Sequence, residues 1–424
     1  MTVPSAPWPA PRAAGPVHAH VPIPGSKSQT NRALVLAALA DGTSRIEAPL
    51  RARDTMLMVN ALRALGISVD DGEVWTVTPG PFHGGVVDTG LAGTVMRFVP
   101  PIAALADAPV TFDGDDRARE RPMWTLIEAL RQAGVVVDDA GRGRLPFTVR
   151  GTGSVRGGRV EIDASVSSQF VSALLLSGAR YDQGLEVEHV GRTPPVSAPH
   201  IEMTIDMLAG AGVTVARPSP TTWRVAAGPI RAQDAVIEGD LSNAAPFLAA
   251  ALVTGGEVTI PGWPAATTQP GDALRDLLAR MGGSVTLSDE GLTVRGAGTI
   301  TPLSADMRNV TELVTVIAAL AALADGPSRL TGLAHMQGHE TDRLSALRVE
   351  LTRLGGEVAQ SPDALEITPR PLSGGVWRTY DDHRMATAGA VLGLAVDGVQ
   401  VDDIATTSKT LPDFPGMWTR MLAP

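Results

Sequence analysis

The sequence predicts an α/β protein made of six similar units, grouped as two domains of three. Two repeating signals predict it. The first is a short apolar signature: "AALAD" stands at 37–41, 103–107 and 321–325, with looser copies "ALLLSG" at 173–178, "ALVTGG" at 251–256 and "LGLAVDG" at 392–398. Taking Asp41, Asp107, Ser177, Thr254, Asp325 and Asp397 as markers, successive copies lie 66 to 77 residues apart. Solenoid repeats are shorter, about 20–50 residues, so two three-unit domains suit this period better than one long stack. The second signal is in phase with the first. A small or apolar residue and a glycine run into alternating β-branched residues: "LGISV" at 65, "AGVVV" at 133, "AGVTV" at 211, "MGGSV" at 281 and "LGGEV" at 354.

Each element of a unit has its own reason. Stretches such as "ALVLAALA" and "VIAALAAL" are apolar nearly all round, which suits helices buried in the middle of a domain. The glycine turn ends a second helix, and the alternation after it reads as a strand that returns in a hairpin. Each unit is therefore expected to run strand, loop, helix, strand, helix, hairpin. A sixth glycine turn would fall beyond residue 424, so the last unit is either incomplete or completed by the N-terminal segment.

Composition narrows the function classes. The chain has 424 residues, 44% hydrophobic and 19% charged, and no cysteine. That excludes disulfides, thiolate metal sites and a cysteine nucleophile. The N-terminus "MTVPSAPWPAPRAAGPVHAH" lacks a charged region followed by an apolar one, and no uninterrupted apolar run reaches about 18 residues, so neither a signal peptide nor a membrane span is expected and the protein is read as cytoplasmic. The net charge is −10, against the basic excess of a nucleic-acid binder.

The chemistry-bearing residues gather just ahead of the buried helices, in "GSKSQTNR" at 25, "LAGTVMR" at 91, "SVSSQF" at 165, "GDLSNAA" at 239, "RNVTELV" at 308 and "YDDHRMA" at 380. A helix N-terminus presents unpaired N–H groups and partial positive charge, so several such ends on one face would bind anions. Lysine occurs only at Lys27 and Lys409, in "GSKS" and "TTSKTLPDF". A lysine is a compact, mobile charge that can give up a proton, unlike arginine. Arginines stand in the same loops and in "DGDDRARERP" at 113 and "HETDR" at 339. Cations dispersed with carboxylates suit a small polyanionic substrate. "GSKS" is not a P-loop, because Ser26 stands where glycine must precede the lysine. His335, His339, Glu340 and Asp342 could hold a metal, but Gly338 between the histidines opposes one regular helix presenting both, and no metal is expected.

Taken in order, "PGSKSQTNR" at 24, "LAGTVMRF" at 91, "RERP" at 119, "SSQF" at 167, "VSAPHI" at 196, "EGD" at 238, "HETDRL" at 339, "YDDHRMA" at 380 and "SKTLPDF" at 408 resemble the 5-enolpyruvylshikimate-3-phosphate synthase family, within the enolpyruvyl transferases, from end to end. The resemblance implies two domains of three βαβαββ units, each an inside-out α/β barrel, joined by a two-strand hinge near Pro22–Pro24 and Glu238–Asp240. The first domain would span 23–238 and mainly serve shikimate 3-phosphate. The second would combine 1–22 with 239–424 and mainly serve phosphoenolpyruvate, with the active site in the cleft between them. It further implies transfer of the enolpyruvyl group to the 5-hydroxyl of shikimate 3-phosphate, with release of phosphate, no cofactor, and a monomer as the working form.

By the same resemblance Lys27, Gly93, Arg121, Gln169, Arg343, Arg384 and Lys409 would hold phosphoenolpyruvate. Lys27, Ser28, Arg32, Ser167, Ser168, Gln169, Ser197, Glu312, His335 and His339 would hold shikimate 3-phosphate, with Arg32 on its carboxylate. Lys27, Glu312 and Glu340 would be catalytic. The chain departs from the family pattern at Glu312, where aspartate is common, at His339 in place of lysine, and at His335 and Leu91 in place of asparagines. Gly93 is the small-residue form of inhibitor-sensitive members, so inhibition by glyphosate is expected. The alternatives are the sister enzyme acting on UDP-N-acetylglucosamine, opposed by "GSKSQTNR", "SSQF" and the absence of cysteine, and a catalytically inactive anion-binding protein of the same fold.

Overall fold

A computed structural model describes residues 6–338 and 340–423. The chain separates into two compact units, one formed by Gly25–Ile237 and the other by the N-terminal segment through Pro24 together with Glu238 onward. Each unit has its own hydrophobic core.

Within Gly25–Ile237 three four-stranded sheets share one topology. The middle one shows it most simply. Gly85–Asp88 runs parallel to Pro109–Asp113, which pairs antiparallel with Phe147–Arg150, and Val136–Asp138 returns along the edge as the other arm of the hairpin. Gly158–Ile162, Leu185–His189, Thr222–Val225 and Val215–Ser219 repeat the pattern. The remaining sheet takes Ser44–Glu47, Trp75–Thr78 and Ser68–Asp70 from the start of this unit, but its outer parallel strand, Ala235–Val236, arrives last in sequence.

The other unit is closed by the N-terminal segment in the same manner. His18–His20 lies parallel to Glu257–Ile260 and supplies the outer strand of the fourth repeat. Trp8–Pro9 pairs antiparallel with Val399–Val401, itself parallel to Gly375–Trp377, so the N-terminal segment also adds a strand to the sixth repeat. That sheet keeps three strands among the described residues.

The six apolar helices are Lys27–Leu39, Gly93–Ala103 and Gln169–Gly178 in one unit, and Ala245–Thr254, Val314–Ala322 and His383–Gly393 in the other. In each unit the three pack against one another at the centre, with their own sheets and the second helices of the repeats around them. Gly93–Ala103 and Val314–Ala322 are buried along their whole length, so their lack of a polar face follows from having protein on every side. The second helices end as the glycine signature predicts. Gly66, Gly134, Gly212, Gly282 and Gly355 all have φ between 79° and 101°, where a side chain would be strained. At the first of them Ile67 N–H returns to Leu62 O at 3.0 Å and Gly66 N–H to Arg63 O at 3.0 Å, closing the helix and turning the chain into its strand. Among the described residues no helix is long and apolar enough to cross a membrane.

Candidate active site: cationic faces at the helix N-termini

In the unit Gly25–Ile237 the central helices begin at Lys27, Gly93 and Gln169. Pro24 cannot continue a helix backward, and Ser26 caps the first helix by accepting Gln29 N–H at 3.4 Å. Lys27 Nζ lies 3.4 Å from Oδ2 of the buried Asp54. The helix starts are tied together by side chains. Asn31 Nδ2 donates to Thr94 Oγ1 at 2.6 Å inside the core. Arg97 Nη1 donates to Gly93 O at 3.2 Å and to Gln169 Oε1 at 3.3 Å, with its guanidinium 5.4 Å over the Phe170 ring.

Gly93 leaves room for two guanidinium groups. A Cβ there would stand 2.9 Å from Arg97 Nη1, and 3.2 and 3.3 Å from Nη1 and Nη2 of Arg121. Arg121 is 9% exposed, and its Nε and Nη1 are buried with no hydrogen-bond partner among the described residues. Leaving a buried donor unsatisfied costs about 1–3 kcal/mol, more when it is charged. An anion beside Gly93 would relieve that cost.

Arg32 lies inside the unit. It is 1% exposed. Its Nε donates to Thr204 Oγ1 at 2.8 Å, Nη1 to Ser28 O at 3.0 Å, and Nη2 to His200 O at 3.1 Å and Ser172 Oγ at 3.3 Å. Burial lowers its pKa to about 9. Protein oxygens thus take four of its five N–H groups. Ser28 is half-buried and Ser168 is buried at the start of the third helix. Ser167 Oγ accepts Gln169 N–H at 3.3 Å. Ser197 is buried with φ of 52°, in the left-handed region that a side chain disfavours.

The other unit carries a second face. Glu340 lies between two cations, with Lys409 Nζ donating to Oε1 at 2.7 Å and Arg343 Nη2 donating to Oε2 at 3.0 Å. Arg343 also forks onto Asp382, Nε to Oδ2 at 2.7 Å and Nη2 to Oδ1 at 3.2 Å. Asp382 caps the helix His383–Gly393 by accepting Arg384 N–H at 2.8 Å, and Arg384 Nη1 donates to Ser242 O at 2.9 Å. Arg343, Arg384 and Lys409 are each less than a tenth exposed.

Burial alone would lower the Arg343 pKa, but Asp382 and Glu340 outweigh it and hold the group above its ordinary value. Burial lowers Arg384, with Asp240 and Glu312 opposing. His335 is buried and its pKa falls below 6.5 through desolvation, against the opposing pull of Glu312 and Asp363. Glu312 thus lies within electrostatic reach of His335, Arg343 and Arg384. Asp342, weighed as a metal ligand, caps the helix Arg343–Arg353 by accepting Ser345 N–H at 3.1 Å. His339 lies outside the described residues.

The structure thus brings Gly93, Arg121 and Gln169 together through Arg97, and Glu340, Arg343, Arg384 and Lys409 together through Asp382. Arg97, Asp54 and Asp382 were given no site role from sequence, although Arg97 and Asp382 stand inside quoted motifs. Their partners are distant in sequence, and only folding reveals them.

The family model described as EPSP synthase (3-phosphoshikimate 1-carboxyvinyltransferase) matches residues 11–418. Among solved structures, one of an EPSP synthase from Acinetobacter baumannii aligns with TM-score 0.79 and 22% identity over 98% of this chain and 97% of its own. A second structure of EPSP synthase from that organism aligns with TM-score 0.77 and 21% identity, with the same coverage. The enolpyruvyl transferase NikO from Streptomyces tendae aligns with TM-score 0.77 and 17% identity over 97% of both chains. At these identities the structural likeness shows the fold.

Proposed function

The chain belongs to the EPSP synthase family, the 3-phosphoshikimate 1-carboxyvinyltransferases, and we propose the following division of labour among its residues. The family's reaction moves the enolpyruvyl group of phosphoenolpyruvate onto shikimate 3-phosphate and releases phosphate, in the shikimate route to aromatic amino acids.

Both substrates carry a phosphate and a carboxylate, each phosphate bearing about −1.5 to −2 at neutral pH. Phosphoenolpyruvate is held by Arg121 beside Gly93, by Gln169, and by Arg343, Arg384 and Lys409, with Lys27 between the substrates. Shikimate 3-phosphate is held by Lys27, Ser28, Arg32, Ser167, Ser168, Gln169 and Ser197, with Glu312, His335 and His339 on its ring hydroxyls and phosphate. Buried cations suit this work, since fixed charges act more strongly away from bulk water.

The reaction is an addition followed by an elimination. Glu312 takes the proton of the 5-hydroxyl as its oxygen bonds to C2 of phosphoenolpyruvate, and the enol π electrons take a proton at C3 from Glu340. The resulting tetrahedral adduct then returns a C3 proton to Glu340. The C–H electrons re-form the double bond, and the C2–O bond to phosphate breaks with Lys27 protonating the leaving oxygen. Such positioned proton transfers contribute about 10²–10⁴-fold each. The 2.7 Å contact between Lys409 and Glu340 supports this role, because it fixes in place the carboxyl group that gives and then takes back the C3 proton.

The observation that carries the reading is Arg121 beside Gly93, with its Nε and Nη1 buried and lacking a hydrogen-bond partner among the described residues. The test is phosphate release from phosphoenolpyruvate, in buffer with a chelator, with shikimate 3-phosphate or UDP-N-acetylglucosamine as acceptor. Release with the first alone is expected. Release only with the second would assign the sister reaction, and release with neither would leave an inactive anion binder. The enzyme is further read as a cytoplasmic monomer, which gel filtration at micromolar concentration and cell fractionation check.

A further inference from the structure

One helix of the second face contacts the same short loop at two places, and the residue at its far end has no part in the chemistry above. The helix Arg343–Arg353 carries Arg343 at its start and Glu350 two turns later on the same side. Glu350 is fully buried. Its Oε1 accepts the Tyr380 hydroxyl at 2.5 Å. Its Oε2 accepts Arg378 N–H at 3.0 Å and Arg353 Nη1 at 2.8 Å. The carboxylate is thus fully hydrogen-bonded, and two of its three donors come from the loop that leads into "YDDHR".

That loop needs holding. Tyr380 and Asp381 are consecutive residues with φ of 55° and 58°, a conformation that side chains disfavour and that persists only where surroundings enforce it. The residue that follows is Asp382, which forks onto Arg343 and caps the helix that presents Arg384. On the other side Thr379 N–H is fixed by Asp402 Oδ1 at 2.9 Å. The strained pair is therefore bracketed by two residues of one helix. Glu350 grips it from before and Arg343 meets it from after.

We propose that Glu350 is a positioning residue for the phosphoenolpyruvate face: through Tyr380 it holds the strained turn that sets Asp382 against Arg343 and aims Arg384. The proposal rests on the assignment of Arg343 and Arg384 to phosphoenolpyruvate. Glu350 touches neither substrate and acts only through the loop. Burial raises the Tyr380 pKa, and the bond to Glu350 and its charge raise it further, so the hydroxyl keeps its proton and remains a donor across the working pH range.

The test uses the full-length enzyme with E350Q and Y380F, measured for kcat, for KM of each substrate and for thermal midpoint. Y380F removes one hydrogen bond and keeps the ring, so it reports even if E350Q folds poorly. A three- to tenfold rise in phosphoenolpyruvate KM is expected for Y380F, and a larger rise for E350Q. The shikimate 3-phosphate KM stays within twofold of wild type in both. E350D, which keeps the charge on a shorter arm, should recover part of the loss. A fall in thermal midpoint with both KM values unchanged, or equal rises in the two, would mean that Glu350 only stabilises the fold and would overturn the proposal. Wild-type activity is measured first. If the wild type releases no phosphate the functional reading fails, whereas an active wild type with unaltered phosphoenolpyruvate KM in the variants refutes the positioning role alone.

Discussion

Replacing Gly93 by alanine puts a methyl group where two guanidinium groups now converge. The new carbon would stand 2.9 Å from Arg97 Nη1 and 3.2 Å from Arg121 Nη1, about half an ångström inside comfortable contact at the first. Arg97 cannot simply swing aside, because it bonds Gly93 O and Gln169 Oε1 and lies over Phe170. Arg121 Nε and Nη1 are buried with no acceptor among the described residues, so Arg121 yields more readily than Arg97, and it moves away from the anion it serves. Weakening one charge-assisted hydrogen bond costs about 1.5–3 kcal/mol, or about 10- to 150-fold in affinity. Initial rates of phosphate release are therefore expected to show phosphoenolpyruvate KM raised by about that factor, with shikimate 3-phosphate KM within twofold. Thermal stability should fall modestly, because relieving the overlap at Arg97 costs about 1–3 kcal/mol and outweighs the up to about 1 kcal/mol by which alanine favours a helix over glycine. Glyphosate, which carries a phosphonate and a carboxylate on a longer frame, should inhibit the wild type and lose more affinity than phosphoenolpyruvate does in G93A. A phosphoenolpyruvate KM unchanged within twofold, or equal rises for both substrates, would refute the placement of the donor beside Gly93.

Three further outcomes follow from the second face. D382N removes the charge that forks onto Arg343 and leaves a buried cation undercompensated, so denaturant titration should show a loss of about 3–5 kcal/mol, together with a raised phosphoenolpyruvate KM. E340Q should lower kcat by about 10²–10⁴-fold while calorimetry finds shikimate 3-phosphate binding intact. His335 has a folded-state pKa depressed below 6.5, so the unfolded chain binds the extra proton first. Its contribution to stability is thus complete above pH 6.5 and is lost as pH falls below that value. Denaturation at pH 7.5 and 5.5 should show a smaller acid loss for H335N than for wild type, and an equal loss would remove His335 from the acid response.

The repeat was legible because its period is carried by apolar helices and glycine turns, both local signals. Gly66 and its counterparts declare a left-handed position within a few residues of sequence. Whether the N-terminal segment joins the sixth unit stayed open, because Trp8–Pro9 is only two residues long and its partner Val399–Val401 lies at the other end of the chain. The site was legible as motifs but not as pairings. Nothing near Glu340 in sequence indicates that Lys409 would reach it, and nothing near Lys27 singles out Asp54. Arg32 shows the limit most clearly. Its motif places it among the anion-binding residues, but the buried packing of Thr204, Ser172 and His200 around it comes from segments distant in sequence.

The central claim is that this chain protonates and deprotonates the methylene carbon of phosphoenolpyruvate on the way to product. Running the wild-type reaction with shikimate 3-phosphate in D₂O and examining the product by NMR tests that directly. Addition and elimination through a methyl-bearing adduct predict deuterium in the vinylic methylene of the product, appearing with turnover and suppressed along with it in E340Q. A product formed at full rate with no deuterium in that methylene would contradict the mechanism and the role given to Glu340.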